Sequence, residues 1–191
     1  MMMRVLLPLF LFFSVGGWAF SLRPVPWITD EAVAFLEMFC EENPEAKILE
    51  FGSGASTLWF AKRTPNLYSV EHDERFYALV QKELSTNPDC FPAKHYLRKR
   101  PYYSIADEFS DGYFDLIVVD GRNRKGCMAR SIRILKPGGI LMLDNAERRY
   151  YHPVFPLLEG WDCTVTQQRG PDQCGFCYPG WETTWWIKPG A

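Results

Sequence analysis

The sequence predicts an α/β protein: a doubly wound, mostly parallel seven-stranded sheet with helices on both faces. Three observations lead there. Short apolar runs alternate with longer segments whose apolar residues recur at helical spacing, the pattern of repeated βαβ units. Runs such as Leu116-Ile117-Val118-Val119 and Ile140-Leu141-Met142-Leu143 are continuously apolar, as strands covered on both faces are. The first run leads into a glycine turn, Glu50-Phe51-Gly52-Ser53-Gly54, at the carboxyl end of a strand, where open α/β sheets bind ligands.

Residues 1–20 start with Arg4 and continue as an apolar run from Val5 to Val15, the shape of a secretory signal peptide or an apolar N-terminal anchor. A comfortable membrane span needs about 20 apolar residues, more than this run offers. A true signal makes the protein secreted or membrane-associated; otherwise it is cytoplasmic, and only this segment offers a membrane contact. Residues 21–30, with Pro24 and Pro26, read as an extended linker, and residues 31–191 as a single domain.

Thr29 or Asp30 caps a helix over residues 31–42, which Asn43-Pro44 ends. The glycine turn follows a strand at residues 47–51, and Ser56 or Thr57 caps the helix after it. Residues 67–71 form a second strand ending on Glu71. A helix over 73–85 leads to a third strand at 93–97, read as a sheet edge whose lysine blocks unwanted pairing. The fourth strand, residues 113–119, ends on Asp120. A helix over 122–135 and the turn Lys136-Pro137-Gly138-Gly139 lead to a fifth strand from Ile140, tipped by Asp144-Asn145. Residues 147–158 are irregular or helical, and strands at 161–167 and 181–188 close the chain.

The net charge of −2 removes any global electrostatic case for nucleic acid, so a polynucleotide acceptor is disfavoured and rests on the local cluster from Lys94 to Arg100. Six cysteines are scattered. Cys174-Gly-Phe-Cys177 lacks the second pair a zinc site needs, leaving a redox pair, a local disulfide or ordinary loop cysteines.

Gly52 and Gly54 permit a sharp bend and close approach of backbone to a ligand. About 20 residues on, Glu71 tips the neighbouring strand, where a carboxylate can accept from both hydroxyls of a ribose. A dinucleotide fingerprint requires a further glycine where Thr57 stands, which argues against a nicotinamide oxidoreductase.

The ordered set Glu50-x-Gly52-x-Gly54, Glu71, Phe114-Asp115-Leu116-Ile117-Val118-Val119-Asp120, Lys136-Pro137-Gly138-Gly139 and Asp144-Asn145 resembles the class I S-adenosylmethionine-dependent methyltransferases, over about Trp27 to Lys188. Ser56 stands where that pattern often has a third glycine. The resemblance implies a last strand antiparallel between its neighbours. It implies S-adenosyl-L-methionine as cofactor, held by Glu50, Gly52, Ser53, Gly54, Glu71, His72 and Asp120. It implies methyl transfer to a small-molecule or sugar hydroxyl. Asp120 with Asp144-Asn145 further resembles the metal ligands of the catechol and caffeoyl-coenzyme A O-methyltransferases. That implies magnesium held by Asp120, Asp144 and Asn145, and a catalytic set of Asp120, Asp144 and Arg122. The lysine expected three residues after Asp120 is Asn123 here, with Arg122, Arg124 and Lys125 as neighbours able to substitute. The alternative is that Asp144-Asn145 caps its loop and no metal binds. His152 is a spare base candidate. A non-catalytic adenosylmethionine-binding module and an NAD-dependent oxidoreductase remain as functional alternatives.

Overall fold

A computed structural model describes residues 22, 23 and 25–190; the signal or anchor expected at residues 1–20 lies outside them. No helix among the described residues is long and apolar enough to cross a membrane. Seven strands form one sheet: β1 Ile48–Phe51, β2 Leu67–Glu71, β3 Lys94–Leu97, β4 Phe114–Val119, β5 Leu135–Asp144, β6 Asp162–Gln168 and β7 Trp181–Ile187. The helices are α1 Asp30–Glu42, α2 Ala55–Ala61, α3 Glu74–Thr86 and α4 Arg124–Ile134, with 3-10 turns over Tyr102–Glu108 and His152–Leu158. The order across the sheet is β3-β2-β1-β4-β5-β7-β6. Every pairing is parallel except those of β7, which runs antiparallel to both β5 and β6. Winding proceeds outward from β1 in one direction and from β4 in the other. The crevice of such a sheet therefore opens between the carboxyl ends of β1 and β4.

Strand side chains alternate between faces, and here both faces are buried. Ile48, Leu116, Val118, Ile140, Met142 and Trp185 pack with α1 and α2. Leu49, Phe51, Ile117, Val119, Leu141, Leu143 and Trp186 pack with α4 and both 3-10 turns. Two apolar faces are why these strands read as unbroken apolar runs rather than alternating ones.

Local chemistry fixes the helix starts. Thr29 caps α1, its hydroxyl accepting from the Ala32 N–H at 3.4 Å. Asp30 instead takes the Gln173 N–H and the Gln168 side-chain amide. The Asp73 carboxylate caps α3 through the Arg75 and Phe76 N–H groups at 3.0 and 2.9 Å. Two expectations shift. β5 begins at Leu135 rather than Ile140, and the Lys136–Gly139 stretch becomes an irregularity within it, with Gly138 at φ +75°. The segment expected as a linker is packed as a strap. Ile28 and Thr29 are buried, Arg23 pairs with Asp172, and the Trp27 ring sits edge-on to Phe176 and Trp181 at 4.8 and 6.4 Å.

Candidate active site

Beneath the glycine turn lies Glu50, fully buried on β1. Its carboxylate accepts from Ser56, from Thr57 at 2.6 Å and from Ser69 at 2.6 Å. Burial pushes the Glu50 carboxyl up to about 7; the three hydroxyls oppose the shift and Glu71 adds to it. Neither Ser56 nor Thr57 caps α2 in the expected way. Both side chains turn inward to Glu50, and the Thr57 hydroxyl also accepts from the Gly54 N–H at 2.8 Å. The network extends through Ser53, whose hydroxyl lies 2.8 Å from that of Ser69, to His95 on β3, which donates or accepts at Ser53 Oγ over 2.9 Å and stacks on Tyr77 at 4.2 Å. Burial lowers the His95 imidazole to about 4, so it is neutral at pH 7.

The two glycines differ. Gly52 has φ +102°, and a Cβ there would meet the backbone of Gly121 at 2.5 Å. Its missing side chain thus lets the β1 and β4 loops touch, rather than making room for a ligand. Gly54 is extended, and a Cβ there would find only the Phe76 ring, at 3.7 Å. The open surface is therefore at Gly54, beside buried Ser53.

Glu71 points into this turn. One oxygen accepts from the Ser53 N–H at 3.1 Å, the other from the His72 and Asp73 N–H groups at 2.7 and 2.8 Å. A carboxylate has about four acceptor positions. Three are taken by backbone, so this conformation leaves room for one ribose hydroxyl rather than both. His72 lies beside Glu71 and against the Tyr102 ring, with centroids 5.5 Å apart.

Asp120 and Asp144 tip β4 and β5, and Arg124 lies between them. Its Nε–H donates to Gly121 O at 2.9 Å. One terminal nitrogen donates to the Asp120 backbone and carboxylate at 2.8 and 2.9 Å, and the other to the Asp144 backbone and, at 3.4 Å, its carboxylate. The remaining Asp144 oxygen takes the Trp181 indole N–H at 2.8 Å and the Thr183 hydroxyl at 3.0 Å. Burial pushes the Asp120 carboxyl well above the usual carboxylate range. Asp144 reinforces this and Arg124 opposes it. Burial would lower the Arg124 guanidinium, but the two aspartates outweigh it and raise it. The Asp120 side chain keeps 26% of its surface exposed, against 4% for Asp144.

The predicted catalytic and metal residues are thus only partly brought together. Asp120 faces the crevice. Asp144 is consumed by the protein. Asn145, at φ +53°, makes the turn after β5. Arg122 is exposed, and its guanidinium has no partner among the described residues; only its carbonyl is engaged, by the Tyr102 hydroxyl at 2.5 Å. The expected magnesium ligands do not fit: a guanidinium occupies the space they would enclose. Among the described residues no group of three His, Cys, Asp or Glu side chains is set to hold a metal ion. His152 donates or accepts at the Ala146 carbonyl over 3.1 Å, which ties it to the turn after β5. All six cysteines are free thiols, with Cys174 and Cys177 exposed. A cleft of about 520 Å³ between Arg23, Glu37, Trp59 and Arg63 includes none of the four strand-tip acids.

The sequence pattern of a family described as "Methyltransferase domain" matches residues 49–146, about half of the chain and the whole run from β1 to the turn after β5. The chain belongs to this family. It is an S-adenosylmethionine-dependent methyltransferase of the class I fold, an enzyme by family membership. Solved structures share that fold at low identity. An O-methyltransferase from Bacillus cereus in complex with SAH matches with a TM-score of 0.64 at 16% identity, over 86% of this chain and 84% of its own. The cofactor-bound protein Rv0187 from MTB matches with 0.64 at 18%, over 87% and 84%. The tRNA (m1A58) methyltransferase TrmI from Aquifex aeolicus matches with 0.62 at 16%, over 83% and 68%. These three include an O-methyltransferase and a tRNA methyltransferase, so the fold does not select the acceptor. No curated protein matches the chain.

Proposed function

We propose that this methyltransferase transfers a methyl group from S-adenosyl-L-methionine to a hydroxyl of a small molecule or sugar. The donor lies across the carboxyl ends of β1, β2 and β4. Its amino-acid arm rests on the open backbone at Gly54, its ribose meets Glu71, and His72 walls the adenine. The single observation that carries this reading is the Glu71 carboxylate aimed into the glycine turn, beside backbone with room for a ligand. Glu71, held by three backbone N–H groups, supplies carboxylate charge at this end of the crevice, a suitable field for a sulfonium and an ammonium.

The acceptor sits over β4 and β5. Asp120, partly exposed with a raised proton affinity, takes the hydroxyl proton as the oxygen bonds to the methyl carbon and the carbon–sulfur bond breaks to release S-adenosylhomocysteine. Walls come from Arg122, from Lys125 stacked at 3.9 Å over the Tyr150 ring, and from Tyr151. A small acceptor is favoured because the Lys94–Arg100 cluster does not act as one basic surface. Lys94 is bonded to the Tyr68 hydroxyl, Arg98 to Glu108, and Arg100 faces His72. The test is a screen of hydroxylated metabolites at saturating labelled donor. Methyl transfer to a small hydroxylated acceptor, lost in Asp120→Asn, is expected. Transfer only to RNA, or binding of donor with no turnover on any acceptor, contradicts the proposal.

A further inference from the structure

We infer that Arg124 is a built-in cation at the β4–β5 tips, standing where Asp120, Asp144 and Asn145 would otherwise hold a divalent ion, so that this enzyme positions its acceptor without one. The inference rests on the reading of that crevice as the acceptor site.

A guanidinium has five N–H donors. Arg124 has one on Nε and two on each terminal nitrogen, and five acceptors surround them: three backbone carbonyls and two carboxylate oxygens. The side chain is buried beneath the Tyr151 ring, 5.5 Å away. A magnesium ion demands oxygens at about 2.0–2.1 Å in octahedral array. Here guanidinium nitrogens approach one oxygen of each carboxylate, at 2.9 Å for Asp120 and 3.4 Å for Asp144, and a divalent ion among them would face a fixed positive charge. The second Asp144 oxygen is closed off by Trp181 and Thr183. Asn123 makes the arrangement possible. At φ +52° it turns the chain so that α4 starts at Arg124, whose side chain folds back one turn onto Asp120. Arg124 is a positioning residue: it fixes Asp120, which faces the crevice, to Asp144, which does not.

Mn2+ is the probe, titrated into the full chain and followed by the electron paramagnetic resonance of the free ion. The wild type should leave the ion free up to millimolar concentration. Arg124→Ala should bind one ion per chain, at least about tenfold more tightly than wild type, and adding Asp144→Asn should abolish that site. Tight stoichiometric binding by wild type, lost in Asp144→Asn, overturns the inference; so does a folded Arg124→Ala that binds nothing. Should Arg124→Ala not fold, the wild-type thermal midpoint decides: no shift between EDTA and Mg2+ supports the inference, and a rise of several degrees with Mg2+ refutes it. Calorimetry with S-adenosylhomocysteine separates the two claims, because a wild type that fails to bind it sinks the methyltransfer reading while the Mn2+ titration is still readable.

Discussion

The sheet presents two pairs of acids at neighbouring strand tips, and they are held differently. Glu50 and Glu71, on β1 and β2, are held by hydroxyls and backbone: three hydroxyls for the first, and three backbone N–H groups with the His72 ring 2.7 Å away for the second. Asp120 and Asp144, on β4 and β5, share a buried guanidinium. Backbone N–H donors stabilise the Glu71 carboxylate without cancelling its charge, so this end keeps a field for a cationic ligand, to which Glu50, its carboxyl pushed up to about 7, adds little below that pH. The second pair is already neutralised in part, which suits an uncharged hydroxyl and a proton-accepting Asp120. One fold thus builds a cofactor end and an acceptor end from the same residue types.

The comparison breaks most severely at Arg124. Arg124→Ala strips the guanidinium from buried Asp144 and half-buried Asp120 and should cost about 3 kcal/mol of stability, read from urea denaturation at pH 7. A loss under about 1 kcal/mol would mean the pair is solvated and the contrast false. Next comes Gly52→Ala, which forces a positive φ on a side chain and drives a Cβ into Gly121; about 3 kcal/mol should be lost. Gly54→Ala, a few residues away in the same turn, should change stability by less than about 0.5 kcal/mol. Equal effects at the two glycines would refute their separate roles.

The folded protein holds a proton on Glu50 up to about pH 7, whereas the unfolded chain releases it near 4.5. The folded state therefore binds more protons between those values, and this contribution to stability is full below the lower value and lost as pH rises through the upper one. Glu50→Gln removes the titration. Its stability relative to wild type should rise between pH 5 and pH 8, by up to about 3 kcal/mol. A pH-independent difference would show that the three hydroxyls fully offset burial.

Much of this was legible in the sequence because strands buried on both faces announce themselves as apolar runs, and each run ended on its acid. Glu71 stands out by its distance from the glycine turn and its place at the tip of the neighbouring strand. What stayed hidden depended on long-range contacts or on helix phase. Nothing local to Gly52 says that its partner is Gly121. His95 reaches Ser53 only because β3 lies beside β2, in register with Ser69. Ser56 and Thr57 have the composition of caps, yet Ser56 turns to buried Glu50, and Thr57 donates to Glu50 while accepting from the Gly54 N–H at the helix start. Arg122 and Arg124 could not be ranked without knowing that Asn123 takes a left-handed conformation and delays α4 by two residues.

The central claim is that the donor rests on the open backbone at Gly54. Calorimetric titration of S-adenosylhomocysteine into wild type and Gly54→Leu tests it most directly. The account predicts one bound ligand per chain in wild type, and in Gly54→Leu an unchanged fold with affinity down by about a hundredfold or more. Undiminished affinity in a folded Gly54→Leu, or no binding by wild type at millimolar ligand, would contradict it.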